Sequence, residues 1–89
     1  MKEIEPAFTK GSRYRIMSRG SGEEFLISVG EFKGYKSFGN GIAIGIALDP
    51  SSGEEGMRII PLSAILAIDV IEFKEGEIED IEATRVYFG

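Results

Sequence analysis

The sequence predicts a small all-β domain, five short strands curled into a barrel. Three observations carry that expectation. Twelve glycines and three prolines cut the 89 residues into short pieces. Several pieces alternate apolar with polar or small residues, the period of a strand. Gly30 sits inside the longest such piece, where a barrel needs a bulge or bend to close.

The elements follow in order. Residues 13–18 read as a first strand, with Arg13 and Arg15 alternating with Tyr14 and Ile16. Gly20-Ser21-Gly22 is a turn. Residues 24–32 form a second strand with Phe25, Ile27 and Val29 on one face. Residues 34–41 read as a loop rich in residues that tolerate positive φ. Residues 41–48 form a third strand, where Ile42, Ile44, Ile46 and Leu48 alternate with Ala43, Gly45 and Ala47. Asp49-Pro50-Ser51-Ser52-Gly53 is a turn. Residues 56–60 form a fourth strand, which Pro61 ends because it has no N–H to donate. Residues 61–64 suit a single 3₁₀ turn, and residues 65–73 form the fifth strand. This division gives an N-terminal segment (1–10), a barrel (11–73) and an acidic C-terminal extension (74–89). In the extension, residues 77–84 are open to a helix, and the final Arg85-Val86-Tyr87-Phe88 is expected to dock as a strand or short helix.

Composition narrows the function classes. Apolar residues make up 43% and charged residues 28%, which describes a globular chain. Cysteine and histidine are absent, so the usual nucleophile, neutral-pH base and transition-metal ligands are missing. A binding protein rather than an enzyme is expected, with no cofactor. The acids at Glu75, Glu77, Glu79, Asp80 and Glu82 lack the spacing of a calcium loop. The first ten residues lack a signal-peptide core, and no apolar run is long enough to span a bilayer. A cytoplasmic protein without membrane attachment is expected. Net charge is −5, divided unevenly: residues 1–45 carry seven basic and five acidic side chains, residues 46–89 three and ten.

The pattern of five strands, bent second strand and 3₁₀ turn is that of a small SH3-like barrel. Between Gly30 and Ile68 it carries a closer likeness. Gly30-Glu31-Phe32-Lys33-Gly34-Tyr35-Lys36-Ser37-Phe38-Gly39-Asn40-Gly41-Ile42-Ala43-Ile44 resembles the first motif of the Sm-like (Lsm) family, archaeal type: a bent strand, a Gly-Tyr-Asp-x-x-Met-Asn loop and an apolar strand. Arg58-Ile59-Ile60-Pro61-Leu62-Ser63-Ala64-Ile65 stands where the family has its second motif. Lys36 replaces the family's loop Asp, Gly39 its Met, and Pro61-Leu62 its Arg-Gly. The resemblance covers about half the chain. It implies an Sm-like fold, a homo-oligomeric ring and single-stranded RNA as a partner.

The candidate RNA-binding residues are Tyr35, Lys36, Phe38, Asn40 and Arg58. The loop offers a stacking aromatic, a cation and an amide able to read a base edge, and stacking contributes ~1–3 kcal/mol per base. The alternative for the loop is a glycine-rich turn with Phe38 packed on the barrel. A second candidate is a basic stripe of Arg13, Arg15 and Arg19 with Lys33 and Lys36, able to meet phosphates. Its alternative is a solvated face paired with glutamates. Two functions therefore stay open: an oligomeric RNA-binding protein, and a barrel module that contacts other proteins without nucleic acid. In the Sm-like reading, strand edges at residues 56–60 and 65–72 would add to a neighbour's sheet, as the family's ring requires.

Overall fold

A computed structural model describes residues 8–75 of the chain. The helix considered over residues 77–84, the docking of residues 85–88 and most of the acidic extension lie outside the described residues. The fold is all-β, as expected: β1 (Arg13–Arg19), β2 (Phe25–Phe38), β3 (Gly41–Leu48), β4 (Met57–Pro61) and β5 (Ile65–Glu72). They form one antiparallel sheet in the order β4-β3-β2-β1-β5.

That order forces the sheet to curl. β4 and β5 stand at opposite ends of it, four inter-strand gaps apart, or about 19 Å if flat. Yet only Leu62–Ala64, a 3₁₀ turn, joins them, and four Cα steps reach at most about 14 Å. The ends of the sheet are therefore drawn towards each other. No ladder joins β4 to β5 among the described residues, so the barrel expected from the sequence is curled but not closed by hydrogen bonds there.

The inner face wraps one core. β1 contributes Tyr14 and Ile16, β2 Phe32 and Tyr35, β3 Ile44, Ile46 and Leu48, and β4 Ile60. Along β1 the alternation is strict: Tyr14, Ile16 and Ser18 are buried while Arg13, Arg15, Met17 and Arg19 lie on the other face. β5 breaks its alternation, because the register against β1 slips between Met17 and Ser18. The slip leaves Leu66 unmatched, so Ile65 and Ile68, three residues apart, both reach the core.

Two sequence expectations need correction. Residues 34–41 are not a loop. β2 runs on through Phe38, and its pairing with β3 continues to Phe38 opposite Gly41. Gly34 is absorbed as a bulge residue at φ 127°, where the register shifts between Phe32 and Gly34. Only Gly39 and Asn40 turn the chain. Gly39 has φ 59° and Asn40 a negative φ, which fits a two-residue hairpin with glycine at its first position. The domain also begins before residue 11. Phe8 is 1% exposed and packs edge-on to Tyr14 at 4.9 Å and stacked on Phe32 at 5.0 Å.

The turn after β3 is held by one carboxylate. Asp49 caps the 3₁₀ turn Pro50–Ser52, accepting from the Ser51 N–H at 3.1 Å and the Ser51 hydroxyl at 2.9 Å. Its other oxygen pairs with Arg13 of β1. The Ser51 N–H, then the Ser51 hydroxyl, then Arg13 hold the Asp49 carboxyl below its ordinary value of 3.8. Because the folded state prefers the ionised form, this group stabilises the fold above pH 3.8, and the contribution is lost as pH falls through the lower folded value. We expect Asp49→Asn to lower the urea midpoint at neutral pH. The gap between variant and parent should narrow as pH drops below 3.8. A gap that stays constant down the titration would show that Asp49 acts only through its shape.

Candidate functional site

The β2–β3 hairpin carries four of the five residues singled out from the sequence, and their positions differ. β2 alternates, so Tyr35, paired with Ile44, turns inward. It is 8% exposed and lies edge-on to Phe32 at 5.4 Å and to Phe8 at 6.2 Å. A base cannot stack on a ring already packed in the core. Lys36 lies on the outer face with its stem beside Gly45, and its ammonium forms no ion pair with the described residues. Phe38 is 54% exposed, directly before the turn. The packing of Phe38 on the barrel, the alternative weighed for this loop, is thus not what the structure shows. Asn40 stands exposed at the tip.

Arg58 is elsewhere. It pairs with Ile46 across β3 and β4, six residues along the strand from Asn40, which places it about 20 Å from the turn. Its guanidinium is already engaged. It donates to the Ser28 hydroxyl at 2.9 Å and lies 3.2 Å from Glu54. Arg58 thus ties β4 to β2 over the curled inner face, a role nothing local in the sequence signals. The structure brings Lys36, Phe38 and Asn40 to one hairpin and leaves Tyr35 and Arg58 out of it. The neighbour of that hairpin is the 3₁₀ turn Leu62–Ala64, because Pro61 pairs with Ala43 on β3. Exposed Ser63 lies in that turn.

The basic stripe is largely neutralised. Arg13 and Arg15 do share the outer face of β1, but Arg13 meets Asp49 and Glu72, and Arg15 lies 3.3 Å from Asp69. Lys33 lies 3.2 Å from Glu31. Exposed pairs of this kind add little stability, but they occupy charges a phosphate would need. Arg19 keeps no ion-pair partner among the described residues.

Apolar side chains stand exposed along β4 and β5. Met57 and Ile59 on β4 are 52% and 38% exposed, and on β5 Leu66, Val70 and Ile71 are 43%, 59% and 43% exposed. Both strands are sheet edges among the described residues. No group of His, Cys, Asp or Glu there could hold a metal ion, and no helix there is long and apolar enough to cross a membrane.

Neither the family models nor the curated proteins searched give a match to this chain.

Proposed function

We propose that the chain is an Sm-like, cytoplasmic binding protein that assembles with copies of itself through β4 and β5, and that the β2–β3 hairpin meets single-stranded RNA. One observation carries the assembly: a five-stranded sheet whose two edges are unpaired among the described residues, both lined by exposed apolar side chains. An unpaired, apolar strand edge is a template for another strand. With one edge at each end of the strand order, β4 of one copy can extend β5 of the next. Repetition of that head-to-tail contact makes a ring where the rotation between copies closes.

The RNA reading rests on Phe38, exposed beside Lys36, a cation without an ion pair among the described residues, and an amide at Asn40. A second reading, assembly with proteins alone, is favoured by the engaged Arg58, the buried Tyr35 and the net charge of −5.

Light-scattering mass and binding of labelled oligo(U), at low and physiological salt, test both halves. The expected result is a multimer that falls apart in the double variant Ile59→Lys with Val70→Lys. Oligo(U) affinity should weaken with salt and fall about fivefold or more in Phe38→Ala. A multimer that ignores oligo(U) at low salt would favour the protein-only reading. A monomer at high concentration would sink the assembly.

A further inference from the structure

The outer face of the β1–β2 hairpin carries an apolar stripe that the edges do not explain. Register places Met17 opposite Ile27, Arg19 opposite Phe25 and Arg15 opposite Val29. Buried Ile16, Ser18 and Ser28 point to the core, so these six residues face outward. Phe25 is 64% exposed and Ile27 44%. A phenylalanine that exposed, beside an isoleucine and a methionine on a sheet face, is a surface asking for cover.

We infer that this face is a two-fold interface with a second copy of the chain. The argument is the complementarity of the two rows. β1 presents Arg19, Met17 and Arg15, and β2 presents Phe25, Ile27 and Val29. A two-fold axis running along the strands, midway between β1 and β2, exchanges the rows. Each Arg19 then lies over the partner's Phe25, a cation on an aromatic face. Each Met17 meets an Ile27, and each Arg15 stem crosses a Val29. No like charges are brought face to face along the two rows. Arg19, the cation left without an ion-pair partner among the described residues, is the one placed on the most exposed ring. Two sheets stacked face to face with strands nearly aligned is an ordinary packing mode. The contact is isologous, so it pairs two copies and stops. It stands apart from head-to-tail joining through β4 and β5, and it does not depend on RNA.

The chain has no cysteine, which permits a clean test. One preparation carries Met17→Cys and another Ile27→Cys. Mixed and oxidised, they should give a disulfide-linked dimer of one chain of each kind, beyond what either gives alone. Phe25→Ser with Ile27→Thr should halve the light-scattering mass, and Arg19→Glu should weaken pairing about tenfold. All three should hold in the Ile59→Lys, Val70→Lys background, where edge joining is lost, so failure of one contact is told from failure of the other. No cross-link in the mixture, or a mass unmoved by the Phe25 and Ile27 changes, would overturn the interface. A stripe covered by the chain's own residues 76–89 would give that second outcome.

Discussion

Phe8→Ala is expected to cost about 3–5 kcal/mol of folding stability, the range for deleting a buried aromatic side chain. The side chain is 1% exposed and touches three other rings, those of Tyr14, Phe32 and Tyr35. These come from β1 and β2, so the cavity left behind is walled by strands that cannot collapse independently. The residues after it are pinned too. The Thr9 N–H donates to the Tyr14 hydroxyl at 3.0 Å, and the Lys74 N–H donates to the Ser12 hydroxyl at 2.8 Å. The Thr9 hydroxyl donates to the Lys74 carbonyl at 3.1 Å. Thr9 and Ser12 therefore fasten the chain's start to the end of β5, and Phe8 is held in place rather than free to swing away. Against a total of about 5–15 kcal/mol for a domain, the loss should take a large share of the stability and lower the urea midpoint in proportion. Phe8→Leu should recover about half. A Phe8→Ala loss below about 1 kcal/mol would mean that the ring lies on the core without filling it.

The strands were legible in the sequence because their period is local. Tyr14, Ile16 and the alternation of β3 mark a buried face without knowledge of any partner, and Pro61 ends β4 as its missing N–H requires. The hairpin misled for a physical reason. Gly34, Gly39 and Gly41 together look like a loop, but a bulge consumes one glycine and a two-residue turn another, so β2 keeps its pairing through Phe38. Phe8 was not legible because an isolated phenylalanine in a polar segment has no period to place it. Arg58 was not legible as a strut because Ser28 lies thirty residues away. Of the candidate residues, the turn displays Phe38 and Asn40 by its geometry, and Lys36 stands on the outer face of the same hairpin. What moved, Tyr35, moved because a strand alternates and a loop does not. The contrast between Phe25 and Tyr35 makes the same point. Both lie on β2 at odd positions, yet the bulge before Gly34 reverses the faces, so Phe25 points out and Tyr35 in.

Gly30→Ala should be the most damaging single methyl in the domain. A Cβ there would lie 2.1 Å from the Ala47 carbonyl oxygen and 2.8 Å from the Ile46 Cγ2. The near atom is backbone near the end of β3, so no side-chain rotation relieves the clash, and the β2–β3 ladder must open where the sheet bends. We expect a loss of about 3 kcal/mol or more, at or beyond the upper end of overpacking costs. Gly45→Ala is the matched control on the facing strand. Its new Cβ would meet the Lys36 Cε at 3.1 Å, and the Gly34 carbonyl oxygen and the Met57 Sδ at 3.5 Å. The one tight contact is the far end of a flexible side chain able to move, the other two are ordinary van der Waals distances, and the loss of glycine's freedom in the unfolded chain offsets part of the cost by about 0.4–1 kcal/mol. Urea unfolding should therefore show Gly45→Ala near the parent and Gly30→Ala far below it. The same defect would reach the surface proposed for RNA, because the two strands that open at Gly30 are those that present Phe38 and Asn40. Equal midpoints for the two variants would mean that β2 can yield at Gly30, and that the sheet's curl arises elsewhere along the strand.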